Sequence, residues 1–329
     1  MMRLILLYLL ILTSFFACKR DDDYLAIDNI LKLSLDSLRT LDSNIPDANY
    51  TDLTFINEMS GFAITEGFVA KTTDGGITWT QINLPEITPL KKIQFTDNQT
   101  GYIIGGDNTF GILFKTTDGG QNWITKDLNS LECPSGMFFL NNNTGFITGK
   151  NLFIKTDDGG QTWTSLKSDA FKMYQDVEFK NEKEGFITSN NGIYLKTIDS
   201  GNSWGILKIN SANYLYDIYF ADSKTYIAKS LDSLVDLTLN YKVIIKPSSA
   251  KKILFLNSKQ SIAIGYHYEQ GFYPYGDIFI TNDNWKNYDQ KTFSTVDAIS
   301  FSAIAKMSEN KIMIIGYGFS GTKVMMLNI

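Results

Sequence analysis

The sequence predicts an all-β fold built from one repeated unit, and three observations carry that prediction. First, four segments align without gaps: Lys71–Trp79 (KTTDGGITW), Lys115–Trp123 (KTTDGGQNW), Lys155–Trp163 (KTDDGGQTW) and Lys196–Trp204 (KTIDSGNSW). A shortened fifth copy, ITNDNW, ends at Trp285, so that every tryptophan is read at one repeat position. Second, Phe95, Phe139, Phe179, Phe220 and Phe301 each lie 16 residues after one of the five tryptophans. Third, each period of about 40 residues offers four short runs rich in Phe, Ile and Tyr, divided by Gly, Asn and Asp turns. Four strands in about 40 residues make one propeller blade, and seven such units make a seven-bladed β-propeller of four-stranded antiparallel blades.

The elements follow in order. Phe55 and Phe255 stand in equivalent apolar runs, LTFIN and ILFLN, which brings the repeats to seven. Second strands are expected from Gly61, Gly101, Gly145 and Gly185, with degenerate versions at Tyr226, Ile262 and Ile312. The last repeat reaches Ile329 after three strands, around Phe301, Ile312–Ile315 and Val324–Leu327. Its fourth strand must come from before the first full repeat. Counting 16 back from Phe55 lands on Arg39, so Leu38-Arg39-Thr40-Leu41 is predicted to pair with the C-terminal strands and remove an open edge. Leu31, Leu35 and Leu38 also fit a helical stripe, the competing reading of this segment.

Three segments are expected: a lipoprotein signal peptide over 1–17, a lipidated cysteine with an acidic tether over 18–30, and a single propeller domain over 31–329. Met1 to Ala17 is one Arg, an apolar run too short to span a bilayer comfortably, and a small residue before Cys18. Phe15-Phe16-Ala17-Cys18 resembles a bacterial lipobox, and Lys19-Arg20-Asp21-Asp22-Asp23 resembles the acidic tract of surface lipoproteins. The resemblance implies export and outer-membrane anchoring through lipid on Cys18, facing either the outside or the periplasm. With Cys18 lipidated, Cys133 stands alone and no disulfide forms.

Composition excludes several functions. The chain has 329 residues and a net charge of −5, with no basic stripe for nucleic acid. A single His, His267, rules out a multi-histidine metal site. No cofactor motif is present, and no cofactor or metal is expected. Arg occurs only at Arg3, Arg20 and Arg39.

The T-x-D-G-G-x-x-W segments resemble the Asp-box, or bacterial neuraminidase repeat. Read physically, each is a hairpin in which the Asp accepts hydrogen bonds from its own turn, Gly supplies positive φ, and Trp anchors the outer strand. Asp74, Trp79, Asp118, Trp123, Asp158, Trp163, Asp199 and Trp204 are therefore structural. Sialidases carry Asp-boxes, but their activity rests on three arginines clamping a carboxylate, and only Arg39 lies in the body of this chain. The overall pattern over roughly residues 50–290 resembles the photosystem II assembly and stability factor-like propellers. Members of that family hold client polypeptides through an arginine patch, which this chain lacks. The resemblance therefore implies a scaffold or binding role without a photosystem role.

The expected ligand face carries the loops between second and third strands and those linking blades. One second-to-third loop is long, Gly265 to Gly276, and holds Tyr266, His267, Tyr268, Glu269, Tyr273 and Tyr275. Tyr pairs a flat apolar face with a polar tip, suited to stacking on a sugar or gripping a peptide. Tyr174, Tyr214 and Tyr216 are expected to extend that face. The leading reading is a non-catalytic binding or scaffold lipoprotein with an envelope protein or glycan partner. The alternative is a glycoside hydrolase or lyase using top-face carboxylates among Glu66, Asp107, Glu269 and Asp277. Oligomeric state stays open, since a closed propeller needs no partner to fold.

Overall fold

The repeat becomes seven four-stranded antiparallel sheets arranged as the blades of a seven-bladed β-propeller. The computed structural model describes residues 32–107, 110–128, 133–166, 173–210, 214–230, 232–268, 273–293 and 298–329. The segments expected as signal peptide, lipidated Cys18 and acidic tether lie outside these. Blades 1 to 6 span 52–83, 90–127, 134–165, 174–208, 218–245 and 250–292. Blade 7 joins 300–328 to the N-terminal strand Leu38–Leu41. That strand pairs antiparallel with the last strand, Leu38 opposite Leu327 and Leu41 opposite Val324, so the ring closes where the sixteen-residue count placed it. Among the described residues the helical reading survives only as one 3-10 turn, Leu35–Ser37, and Leu31 lies outside them.

The repeated phenylalanines are the glue between blades. Phe55, Phe95, Phe139 and Phe179 end their inner strands opposite Gly61, Gly101, Gly145 and Gly185. A Cβ on these glycines would lie 2.4–2.7 Å from the facing ring, so only Gly lets the ring lie flat across the strand. In blades 1 to 3 the aromatic residue after the glycine then stacks on the phenylalanine of the next blade: Phe62 meets Phe95 at 4.5 Å between centroids, Tyr102 meets Phe139 at 3.5 Å and Phe146 meets Phe179 at 5.1 Å. Tyr226, which follows Thr225, stacks on Phe255 in the same way at 4.8 Å. Each such pair contributes about 0.5–1.5 kcal/mol beyond its buried area.

The Asp-boxes form the hairpins between third and fourth strands. In the box of blade 2, Thr116 donates to Asp118 and accepts from the Gly120 N–H, while Asp118 accepts from the Gln121 and Asn122 N–H groups and the Asn122 amide. Gly119 and Gly120 sit at φ 68° and 73°, the left-handed region that favours glycine. Trp123 packs edge-on to Phe95 of its own blade, and Lys115 reaches the Gly159 carbonyl in the next box. The boxes of blades 1 to 3 therefore fasten their own blade and the one that follows.

Two parts of the register differ from the sequence reading. Trp285 is not at the tryptophan position. Its N–H donates to Thr281 and Asn287 donates to Asp283, which puts Trp285 on the second glycine of the box and Tyr288 on the tryptophan. The copy is full-length, with Trp285 held at φ 65° where the other boxes use Gly. Phe301 likewise pairs with Gly316 near the start of its strand rather than at its end, so its sixteen-residue interval is a coincidence. Blade 5 has no box at all: Asp236, fully buried, occupies the place of the box lysine.

Candidate functional site

The two faces of the propeller differ in kind. On one, each box hairpin is tied to the first turn of its blade, as by Gly75 N–H to Met59 O at 2.8 Å and Gly119 N–H to Gln99 O at 2.9 Å. The opposite face carries the second-to-third turns and the links between blades, and here blades 6 and 7 reach farther than blades 1, 3 and 4. The middle strands of blade 6, Ser261–Tyr268 and Pro274–Thr281, are eight residues each, as are Lys311–Gly318 and Gly321–Asn328 of blade 7, against four or five in blades 1, 3 and 4. Pairing runs out to Tyr268 opposite Pro274. Most of the stretch expected as a loop from Gly265 to Gly276 is thus a β-ribbon, because alternating aromatic and small residues suit a pleated ladder. We call it the arm. Glu269 lies outside the described residues.

The arm presents aromatic side chains outward. Tyr268 is 60% exposed and Tyr273 51% exposed, and Tyr273 meets Phe319 of blade 7, itself 68% exposed, at 4.8 Å between centroids. Tyr266 packs edge-on to Tyr268 at 5.7 Å, and His267 stacks on its cross-strand neighbour Tyr275 at 5.3 Å. The His267 Nδ1 lies 2.5 Å from Asp277, whose buried carboxylate also accepts from Gln290 at 2.9 Å and Thr292 at 2.7 Å. This network anchors the base of the arm. It also corrects the reading of Asp277 as a loop carboxylate: with full burial and three partners, Asp277 cannot face a substrate.

The other expected contributors divide. Tyr214 and Tyr216 are exposed and stack on each other at 6.4 Å. Tyr174 is core instead: it starts the inner strand of blade 4, is 1% exposed, and packs on Phe153. Glu66 is exposed in the short second-to-third turn of blade 1. Among the described residues, no cluster of His, Cys, Asp and Glu could hold a metal ion, and Cys133 is free and half-buried.

Sequence reading missed a second feature, in the central channel. Six inner strands each place the residue three before the repeat phenylalanine at one level around it: Asp52, Lys92, Gly136, Asp176, Asp217 and Lys252. Ile304 of blade 7 completes the ring, and all of these but Gly136 line a cavity of about 440 Å³ with Leu254, Phe255 and Tyr219. Lys92 passes over Gly136 to reach Asp176 at 3.0 Å and Glu178 at 2.6 Å. A Cβ on Gly136 would lie 2.8 Å from the Asp176 Cα, so glycine lets blades 3 and 4 close up there. Lys252 passes over blade 7 to the Thr51 carbonyl at 2.6 Å and Asp52 at 3.7 Å. Burial pulls Lys92 down, but Asp176 and Glu178 more than offset it and hold the ammonium well above the usual lysine range. Burial pushes Glu178 up to about 7 despite Lys92, and burial together with the Asp176 charge raises Asp217. The Tyr219 hydroxyl donates to Asp217 at 3.0 Å.

Comparison with known proteins decides the family. Three overlapping stretches, 34–131, 79–172 and 125–214, match the family described as photosynthesis system II assembly factor YCF48 and together span more than half of the chain. The chain belongs to the YCF48 family. No protein of curated function matches it. Among solved structures, a YCF48 bound to a D1 peptide is 18% identical with a TM-score of 0.67, over 89% of this chain and 96% of that one. A streptogramin B lyase is 13% identical with a TM-score of 0.65, over 89% and 97%. A GH74 enzyme from Niastella koreensis is 12% identical with a TM-score of 0.62, over 84% of this chain and 53% of that one. At these identities the solved structures share the fold. The YCF48 family therefore sits on an architecture that also carries enzymes, and function has to be argued from this chain's own residues.

Proposed function

We propose that the protein is a non-catalytic binding propeller of the bacterial cell envelope, held at the outer membrane by lipid on Cys18, and that the arm face grips a polypeptide partner. The observation that carries the binding reading is the outward aromatic group of Tyr268, Tyr273 and Phe319 on a ribbon braced by a buried carboxylate. Rigid, exposed aromatics that bridge two blades offer contact area at little entropic cost, the chemistry of a protein-binding surface. A family relative bound to a peptide supports the choice of a polypeptide.

The combined Tyr268→Ala and Tyr273→Ala variant is expected to lose at least about tenfold in partner capture, while its melting temperature stays within a few degrees of the wild type. Affinity capture from envelope extract, run beside a glycan array, checks this. Undiminished capture of the same partner removes the arm from the reading, and a glycan hit with no protein partner replaces the polypeptide with a sugar. The anchor is tested separately. Cys18→Ser should move the protein from the membrane fraction to the soluble fraction, since several acyl chains at roughly 0.8 kcal/mol per buried methylene hold it there. Unaltered membrane partition of that variant would overturn the lipoprotein reading.

The enzyme reading has one observation in its favour, the close contact of the partly exposed His267 with buried Asp277, which fixes the imidazole orientation as a general base requires. Turnover of an oligosaccharide that disappears in His267→Gln would establish it; no turnover across a panel of oligosaccharides leaves the binding reading in place.

A further inference from the structure

The charges of the channel ring do not balance, and the imbalance is local. At the ring level Asp52, Asp176 and Asp217 face Lys92 and Lys252. Each lysine skips one blade to meet its acid: Lys92 of blade 2 crosses to blade 4, and Lys252 of blade 6 crosses to blade 1. Lys252 therefore turns away from blade 5, while Lys92 ends on blade 4 beside it and is engaged there by both Asp176 and Glu178. Asp217 has the Tyr219 hydroxyl as its close polar contact, with the Asp176 charge nearby and the Lys92 and Lys252 ammoniums acting on it from farther off than an ion pair. The remaining cation on the cavity wall, Lys91, is exposed on the rim of blade 2, three blades away.

Beside Asp217 the blade 6 wall carries Lys252, which turns toward blade 1, and apolar side chains behind it. Leu254 of blade 6 and Ile304 of blade 7 line the same cavity, and both point into it at or one level below the ring. The ring lies toward the starts of the inner strands, which is the side where the links between blades enter, so the cavity opens toward the arm face. A carboxylate at the mouth with an aliphatic wall beside it matches a cation carried on a short hydrocarbon stem. One carboxylate and one phenol are too few oxygens for calcium, which takes six to eight. A single ammonium needs less: one ion pair to Asp217, with a second hydrogen bond to the Tyr219 oxygen.

We propose that this sector of the channel is a pocket for an alkylammonium group, supplied by a lysine side chain of the bound polypeptide or by a free primary amine. Assigning a peptide lysine as one source rests on the binding reading of the arm; the pocket chemistry does not. The ammonium sits at Asp217, and its stem lies along Leu254 and Ile304. Lysine fits this pocket better than arginine, because a planar fork needs two acceptors side by side and Asp217 already spends one on Tyr219.

The experiment is calorimetric titration of the full chain with three probes: N-acetyl-lysine methylamide, n-butylamine, and the uncharged N-acetyl-norleucine methylamide. Both amines should bind and the norleucine derivative should not. Asp217→Asn, which keeps the shape of the side chain, should weaken both amines by at least about tenfold. Lys92→Ala supplies a second readout. It empties an ammonium position beside Asp176 and Glu178, so n-butylamine should raise its melting temperature more than that of the wild type. Equal binding of the norleucine derivative, or amine affinity unchanged in Asp217→Asn, overturns the pocket. The two surfaces fail separately: amine binding that persists in the Tyr268→Ala, Tyr273→Ala variant upholds the pocket even where partner capture is lost. Competition of partner capture by n-butylamine would identify a peptide lysine as the source. Capture indifferent to n-butylamine, with direct amine binding intact, would identify a free amine.

Discussion

Removal of residues 24–42 is expected to abolish the soluble, cooperatively melting protein. The deleted stretch contributes the outer strand of blade 7 and two buried leucines, Leu33 and Leu38, packed against Ile262, Ile280, Phe301 and Leu327. At about 1.5–3 kcal/mol each, the leucines alone account for roughly 3–6 kcal/mol, against a total stability of roughly 5–15 kcal/mol for a folded domain. The strand also covers Val324-Met325-Met326-Leu327, an apolar edge that would otherwise pair with other chains. Hydrogen bonds between the Leu33 backbone and Asn282 fix the entry of the segment onto blade 6 as well, so two blades lose support together. Loss should appear as aggregation on expression, and a synthetic peptide of residues 32–44 added during refolding should restore a melting transition. A truncated protein that melts like the full chain would refute the closure.

The same strand shows why so much of the fold was legible. Blade closure is periodic, so counting 16 residues back from Phe55 found Leu38–Leu41 despite its different composition. The GF pairs and the box residues were legible for a related reason: a ring lying over glycine and a turn with positive φ each admit few residue types. Where one residue type serves two positions, reading failed. Trp285 reads as an anchor because it is a tryptophan, although the hydrogen bonds of Thr281 and Asp283 place it on the turn glycine and give its anchor role to Tyr288. Tyr174 reads as a surface tyrosine although it occupies the buried start of an inner strand.

The channel ring was hidden for a different reason. Its residues differ from blade to blade, Asp, Lys, Gly, Asp, Asp, Lys and Ile, so no repeat marks them. Only the constant offset of three before the repeat phenylalanine would have collected the first six. A repeat fold keeps its packing positions alike and lets its channel positions vary, which makes the least repetitive column of the alignment the most informative about function. The arm was visible as an excess of length, yet its form was not. Tyr266 and His267 were assigned to a loop because Gly and Pro flank them, whereas ladder pairing continues to Tyr268.

A second large effect is expected from acid, with an unusual shape. Hydrogen bonds from the Asn122 backbone and side chain hold Asp118 at about 2, and the Thr162 and Ser203 side chains and N–H groups do the same for Asp158 and Asp199. Asp74 is lowered likewise, by Thr78, and Asp283 is lowered where bonds from Asn287 overcome burial. An unfolded aspartate titrates near 3.9, so these depressed carboxyls stabilise the fold above about pH 4, and that support is lost as pH falls toward 2. Glu178 and Asp217 carry the opposite sign. Raised by burial, they bind protons in the folded state before the unfolded chain does, so stability rises as pH falls from about 7 toward 4.5. Melting temperature against pH should therefore climb gently from pH 8 to about 5 and then fall steeply between pH 4 and 2. The steepness of the acid limb reflects how many boxes take up protons together on unfolding. Asp118→Asn and Asp158→Asn combined should make that limb shallower while leaving the climb above pH 5 unaltered. Glu178→Gln should flatten the climb and spare the acid limb. An acid limb of unchanged slope in the double variant would show that the boxes hold their hairpins by shape rather than by charge.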